Sequence, residues 1–524
     1  MRDGRVAAAG PLAQARAQLG PDHEALDLHG KAAFPAFQDA HCHPLHGGLQ
    51  QRSCDLEGRL TAAACLERVA EYVSSHPEGG WISGKGWSME SFPGGTPDRL
   101  LLDSVTADRP AFLTNRDGHS AWVNSAALRQ EGIDRTTPDP EHGRIERDSS
   151  GEPSGTLHEA AMALVSRLLP SPSEDETVAA LLQAQRHLHS LGISGWQDAM
   201  VDREAERAYA RLKADGRLTA RVRLALWWER DRGLGQVEEL AARRAELRAA
   251  GLDAGSVKIM LDGVMETFTA ALLEPYRNQG GDRAGRQLGS GHLFLEPELA
   301  RAASTRLHRL GFQLHFHAIG DRAVRVALDA VEAARGSGPV SAPDPRHHIA
   351  HIQLIHPSDL PRFHELQVVA NMQPFWACHE PQMDELTIPF LGSERARQQY
   401  PFRSLKDQGA VLAGGSDWPV STADPLAEIA VAATRVAEVQ GGAPPEPFLA
   451  EQALPMEDAL AAFTAGSAFV NHLDAEAGTL SPGKMADLVV LATNPFELEP
   501  RHLPQAAVQL TLVGGQAVYD RGTV

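Results

Sequence analysis

The sequence is poor in cysteine: Cys42, Cys54, Cys65 and Cys378 are the only four in 524 residues. No two of them form a CxxC pair, and so sparse a set excludes a disulfide framework. Long hydrophobic runs are missing too. No stretch reaches the ~18 apolar residues that mark a membrane-spanning helix. The opening MRDGRVAAAGPLAQARAQLG lacks the apolar core of a secretory signal. Positive charge is short: 49 Lys and Arg stand against 68 Asp and Glu, a formal net charge of −19. Such a chain repels phosphate backbones, so nucleic acid is not an expected partner. The acidic residues are spread along the chain rather than gathered in a tail, which reads as a solubility device. The expectations are a reducing cytoplasm, a small-molecule substrate, no membrane and no nucleic acid, with a homo-oligomer left open.

What is present is an ordinary globular balance, 43% hydrophobic and 22% charged. A chain of this length is too long for one compact core, so more than one domain is expected. Short apolar runs alternate with helical stretches, the mark of βα units and a parallel sheet. The candidate strands begin at Ala32, Gly192, Arg221, Ser256, Phe312, His347, Gln367 and Ala410, eight in all. Helical patterns lie between them, among them TVAALLQAQRHLHS, ELARAASTRLHRL and DRAVRVALDAVEAA, the last with Asp321 as its N-cap. The fold class that follows is α/β, a (β/α)8 TIM-type barrel with chemistry at the C-terminal ends of its strands.

Two features sit outside the barrel. Strands one and two are separated from roughly Leu49 to Gly192, far more than a crossover helix needs, so an inserted subdomain is expected there. Short alternating strands near both ends, in DGRVAAAG, ADLVVLATNP and QLTLVGGQAVYDRG, pair into a small β-domain. The expected division is residues 1–36 and 472–524 for that domain, 37–54 and 156–471 for the barrel, and 55–155 for the insertion. NQGGDRAGRQLGSG, from Asn278, reads as a mobile loop after strand four.

Several residues have the types and places that chemistry requires. His41 and His43, in DAHCHP, are two apart on a strand and project to one side, a natural half-site for a divalent metal. Lys258 lies inside the apolar strand SVKIMLDGV, where a free ammonium is costly. It reaches the rim, pairs with Asp262, or carries a lowered pKa that lets its amine add CO2. His317 and His351 are 34 residues apart, close to one βα unit, so equivalent positions on adjacent strands bring them to one site. His315 shares the parity of His317 but sits about 7 Å deeper, and reads as core or as a support behind the site. His347, His348 and His356 read as surface or strand-edge residues. Asp417, in GGSDWPVSTADPL, ends strand eight; it is an N-cap or a residue that binds metal and takes a proton from water. Together these put ligand-capable side chains at the ends of strands one, four, five, six and eight.

This ordered set resembles the amidohydrolase superfamily, specifically its YtcJ-like branch, amidohydrolase family 3. The resemblance runs from DLHGKAAFPAFQDAHCHP through GKGWSMESFPGGTPDRLLLD, DGHSAWVNSAAL, KIMLDGVMETFTA, HAIGDRAVRVALDA, HIAHIQLIHPSDLPRF and GGSDWPVSTADPL to AGTLSPGKMADLVVLATNP. It implies a barrel carrying a β-sandwich from both termini. It implies a metal-dependent hydrolase of non-peptide carbon–nitrogen bonds, amides or N-substituted formamides. One divalent metal, zinc by the resemblance, takes His41, His43 and Asp417; a second takes His317 and His351; a carboxylated Lys258 bridges them. The insertion supplies a lid, with Trp87, Asp117 and His119 as candidates for substrate contact. Three departures stand out. The first sandwich strand is short, Ala350 replaces an acidic residue before His351, and Phe268 stands where a basic residue is common.

The implied mechanism is attack by a metal-activated hydroxide, with Asp417 taking the proton and passing it to the leaving nitrogen; His119 assists the leaving group or orients the substrate. The alternatives are a lactonase, esterase or phosphotriesterase on the same site, or a barrel scaffold without turnover, which loss of ligands would mark. All five ligand positions and the lysine are present.

Overall fold

Each of the eight apolar segments forms a strand of one sheet: β1 (Phe37–Cys42), β2 (Ile193–Val201), β3 (Arg221–Trp227), β4 (Asp253–Met260), β5 (Gln313–Ala318), β6 (His348–His351), β7 (Val369–Met372) and β8 (Leu412–Gly414). The computed structural model describes residues 1–19, 23–77, 79–277, 288–338, 344–437 and 445–522. The strands run in sequence order around the sheet, and every neighbouring pair is parallel. Every residue of β1, β5, β6 and β7 is buried, as expected of parallel strands covered on both faces. The sheet's two edges meet just past their ends. The Asp417 N–H donates to the His41 carbonyl at 2.7 Å, and the His43 N–H to the Trp418 carbonyl at 2.7 Å. The result is a (β/α)8 barrel, and its closing bonds involve the residues of the candidate site.

Helices Glu174–Ser190, Pro297–Arg309 and Asp321–Gly336 cover the outside where the periodicity placed them. The first carries a reciprocal cap: the Ser173 hydroxyl accepts from the Glu176 N–H, and the Glu176 carboxylate accepts from the Ser173 N–H. The third corrects the expectation for Asp321. Gly320 holds the cap position, and Asp321 is the first helical residue; its carboxylate accepts from the Leu273 N–H at 2.9 Å. It thus ties a neighbouring loop to the start of its helix.

The segment that starts at Ala32 divides in two. Residues Ala32–Pro35 pair antiparallel with Leu488–Leu491, which continues through Val508–Val513 to Gln516–Asp520, a four-stranded sheet made from both ends of the chain. Residues before this sheet form no strand among the described residues; they join through isolated bridges, Arg2 with Arg5 and Arg5 with Met485, and through backbone bonds from Gly4 and Val6 to residues 483–486. The sheet is fastened to the barrel by Asp487, whose carboxylate accepts from the Arg221 guanidinium and from the Gly514 N–H.

Between β1 and β2 the chain builds a third, six-stranded sheet. Its order is Cys54–Asp55, Ile82–Trp87, Ala111–Asn115, Ser120–Val123, Pro153–Glu159 and Gly143–Arg147. The loop read as mobile after β4 falls mostly on residues 278–287, outside the described residues.

Candidate metal centre

At the C-terminal ends of the barrel strands, side chains from β1, β4, β5, β6 and the turn after β8 face one cavity of about 1060 Å³. Asp417 lies at the centre. Its Oδ1 is 3.1 Å from His41 Nε2 and 3.0 Å from His43 Nε2, and its Oδ2 is 3.9 Å from His351 Nδ1. Donor atoms of His41, His351 and Asp417 all lie within 4.8 Å of one another, spacing suited to one ion. The His317 ring is 4.4 Å from that of His351, and Lys258 Nζ is 3.2 Å from His41 Nε2.

The backbone works to bring these groups together. His351 has φ 74° and Asp417 φ 57°, both left-handed and both non-glycine, a conformation that costs energy and clusters at functional sites. The His351 N–H is held by the Gln373 amide oxygen at 2.7 Å. Gly415 lets the turn after β8 press on β1. A Cβ there would stand 2.7 Å from His41 Cβ and 2.8 Å from its backbone nitrogen.

Hydrogen bonds fix which ring nitrogens are free. His317 Nε2 is 3.4 Å from the Gly263 carbonyl, which can only accept, so Nε2 carries the proton and Nδ1 is left with its lone pair. His41 Nδ1 meets His315 Nε2 at 2.9 Å, leaving His41 Nε2 for the cavity. His315 therefore stands behind His41. Asp39 supports both edges of the closure: its Oδ1 accepts from the His41 and Ser416 N–H groups, and its Oδ2 accepts from the Ser416 hydroxyl at 2.6 Å.

The charges are those of a site built for a cation. Burial and the neighbouring Lys258 push His41 down to about 3, and burial pushes His317 and His351 well below the usual histidine range, so the imidazoles are neutral lone-pair donors. Burial opposes ionisation of Asp417, yet the facing His41 and His43 hold its carboxyl well below the usual range. Lys258 is only 3% exposed, and burial lowers it to about 7. It does not pair with Asp262, whose carboxylate instead accepts from the N–H groups of Ala271, Ile319 and Gly320. The chemistry of this donor set fits a divalent metal: neutral imidazoles, one ionised carboxylate and an amine whose pKa burial has lowered to about 7. Among the described residues the buried Nδ1 of His43 has no partner, a further sign of polar groups arranged for something besides one another.

The insertion closes over the same cavity. Lys85, Asp117 and His119 line it. The Asp117 carboxylate accepts from the His119 N–H at 2.8 Å, fixing the turn between the two strands. His119 Nδ1 meets Glu159 Oε1 at 2.9 Å; burial disfavours its charged form, but Glu159 outweighs that and raises it to about 9. Trp87, expected to touch substrate, lies elsewhere. It is fully buried in the insertion's own core, its indole N–H donating to the Leu113 carbonyl at 2.7 Å and its ring set against Phe92 and Trp122. A tryptophan in a Gly-rich segment gave no hint of which face it would take.

His347 and His348 also depart from expectation, since both are fully buried. His348 points into the barrel, bonded to Gln197 and Asn371 and 3.9 Å from the His315 ring; His347 pairs with His308 and accepts from the Leu314 N–H. The polar barrel interior buries His348, and the covering helix that carries His308 buries His347. His356 is exposed, as read. Ala350 brings no carboxylate of its own beside His351; the Gln373 amide oxygen holds the His351 backbone N–H instead. Phe268 packs on Tyr276 and Phe390. Asp39, Glu159 and Gln373 were missed by sequence reasoning. For Asp39 a signal existed, a carboxylate two residues before His41 on the same face; for the other two, residue type alone carried none.

The chain is similar to known proteins along nearly its whole length. The chain is 29% identical to N-substituted formamide deformylase of Arthrobacter pascens, covering 99% of this chain and 94% of that protein. It is 31% identical to the protein LONG AFTER FAR-RED 3 of Arabidopsis thaliana, covering 99% and 88%. Among solved structures, an uncharacterized metal-dependent hydrolase from Pyrococcus horikoshii superposes with a TM-score of 0.71 at 27% identity, covering 96% of this chain and 94% of that one. The sequence model of the amidohydrolase family matches residues 24–519, and the chain belongs to that family.

Proposed function

We propose that the protein hydrolyses a non-peptide carbon–nitrogen bond, of amide or N-substituted formamide type, with divalent metal held by His41, His43 and Asp417 and by His317 and His351. The reading rests most on one observation: neutral imidazoles and an ionised Asp417 converge, beside a buried lysine whose near neighbour is His41, on the floor of a cavity large enough for a substrate. The formamide deformylase relative supports the bond type. Zinc is the metal that this nitrogen-rich set suits.

Bound there, the metal supplies Lewis acidity, polarising a carbonyl and acidifying water. The protein's own groups do the rest. Asp417 is the base that accepts a proton from the attacking water. His315 and the Gly263 carbonyl hold the rings of His41 and His317 in the orientation required. Lys258, its pKa lowered by burial to about 7, holds a share of free amine at neutral pH that is able to add CO2; a carbamate there would supply two oxygens as metal ligands. Lys85, Asp117 and His119 of the insertion face the substrate.

The test is metal analysis of purified protein together with a screen of N-acyl and N-formyl amines, esters and lactones, with and without added Zn2+. Metal-dependent release of amine, lost in Asp417→Asn, is expected. Turnover confined to esters or lactones overturns the proposed bond type. Short-chain carboxylic acids should restore part of the activity of Lys258→Ala, by filling the vacated space with an equivalent anion.

A further inference from the structure

The insertion and the barrel meet at one buried carboxylate. Glu159 ends the strand Pro153–Glu159. That strand pairs with Ser120–Val123, Ser120 opposite His158, which sets Glu159 beside His119. The Glu159 N–H donates to the His119 carbonyl at 3.1 Å. The Glu159 backbone turns to φ 50°, a left-handed conformation in a non-glycine residue. Its Oε1 then meets two groups at once: His119 Nδ1 at 2.9 Å and the Thr269 hydroxyl, from the loop after β4, at 2.8 Å.

That loop also serves the metal centre. Its Gly263 carbonyl is 3.4 Å from His317 Nε2. Glycine is required at this point, because a Cβ on residue 263 would stand 2.0 Å from Thr269 Oγ1 and 2.4 Å from Glu159 Oε1. The His119 ring lies 5.8 Å from the His317 ring, in the cavity that also exposes Asp417. With Nδ1 taken by Glu159, Nε2 is the nitrogen left to meet a ligand.

We propose that His119 is a catalytic residue that protonates the leaving nitrogen, and that Glu159, steadied by Thr269, is the positioning residue that aims it. This rests on the carbon–nitrogen reading above. The oxygen of water bonds to the carbonyl carbon, and the water proton goes to Asp417. The carbon–nitrogen bond then breaks, its electron pair stays on nitrogen, and the Nε2 proton of His119 moves to that nitrogen. Amine and carboxylic acid leave; the proton on Asp417 returns to His119 through solvent. The insertion thereby supplies half of the acid–base pair, and the barrel the other half.

The competing account is purely structural, with the Glu159 cluster merely fastening the insertion to the barrel. Leaving groups of different basicity separate the two. A poor leaving group such as benzylamine needs a proton as it departs, whereas 4-nitroaniline needs far less help. The zinc-loaded enzyme and its His119→Gln, His119→Ala and Glu159→Gln variants are assayed on the benzylamide and the 4-nitroanilide of one acyl group. Benzyl and 4-nitrophenyl esters of the same acid run in parallel. For the His119 variants, kcat on the benzylamide is expected to fall on the order of 100-fold, the usual scale of a proton-transfer catalyst, with KM nearly unchanged. The loss on the 4-nitroanilide should be under about 10-fold, and zinc content should stay at the wild-type level. Glu159→Gln should follow in the same sense with a smaller loss. Equal losses on both leaving groups, or losses that track zinc content, overturn the proposal. Should the wild type cleave only the esters, the carbon–nitrogen reading fails, and the benzyl against 4-nitrophenyl comparison still decides the role of His119.

Discussion

Lys258 offers a prediction that can be worked from the structure without any substrate. The side chain is 3% exposed, and burial lowers its pKa from 10.5 to about 7. At roughly 1.36 kcal/mol per pKa unit, carrying the ammonium into that position costs on the order of 5 kcal/mol. The sign follows from proton binding. Between pH 7 and 10.5 the unfolded chain holds this proton more often than the folded one, so folded stability rises with pH across that window. The penalty is fully present below about pH 7 and fades toward 10.5. Lys258→Met keeps the length and discards the charge. In metal-stripped protein, in buffer freed of CO2, the variant should therefore be more stable than wild type at pH 7. Its advantage should shrink by roughly 2 kcal/mol by pH 9. Urea denaturation of both proteins at the two pH values measures it, and groups common to both cancel in the difference. The same variant should be inactive when metal is restored. A difference in stability that does not change between pH 7 and 9 would refute the argument, because Lys258 would then not be a desolvated amine.

Other perturbations follow from the same geometry. His41→Ala, His317→Ala and His351→Ala should each lower bound metal and activity sharply, read by elemental analysis, since a missing ligand loses both affinity and geometry. His315→Ala removes only the support behind His41 and should weaken metal binding about 10–100-fold, less than loss of a ligand; an unchanged metal affinity would show that the 2.9 Å contact does not orient His41. Gly263→Ala drives a methyl into Thr269 and Glu159 and should destabilise the protein by about 1–3 kcal/mol by thermal or chemical melting, as overpacking does. Trp87→Ala should cost about 3–5 kcal/mol, as for other large buried aromatics, while Trp87→Phe should leave KM unchanged because the side chain does not line the cavity.

The barrel and its ligand set were legible for physical reasons. Parallel strands buried on both faces must be written as short apolar runs, so all eight could be counted. A histidine or lysine inside such a run is costly unless it serves a purpose, and this drew attention to Lys258, His317 and His351. His315 and His317 share one parity, and depth along the strand separated them. The order of the ligand-bearing segments along the chain matched the order of strands around the barrel. Parity could not show which polar groups the barrel interior would satisfy. His348, Gln197, Asn371 and Gln313 bury one another's hydrogen bonds, and no one of them signals the network alone.

The insertion was legible only as an interval too long for a crossover. Its contribution to the site depends on contacts between residues distant in sequence: Glu159 with His119, and Glu159 with Thr269 on the loop after β4. A glutamate at a strand end is commonplace, and nothing local distinguishes this one. The distinguishing feature is conformational. A left-handed backbone at Glu159, joined to a glycine at 263 that has no room for a methyl, commits two separate segments to one carboxylate. Strain of this kind persists only where surrounding structure over-determines it. Here the surroundings are the insertion strand on one side and, on the other, the loop that orients His317. Glu159 therefore ties His119 on the insertion to the loop whose Gly263 carbonyl meets His317. Substrate recognition by the insertion and the delivery of a proton are thus coupled through one residue, while the metal-binding groups remain fixed to the barrel.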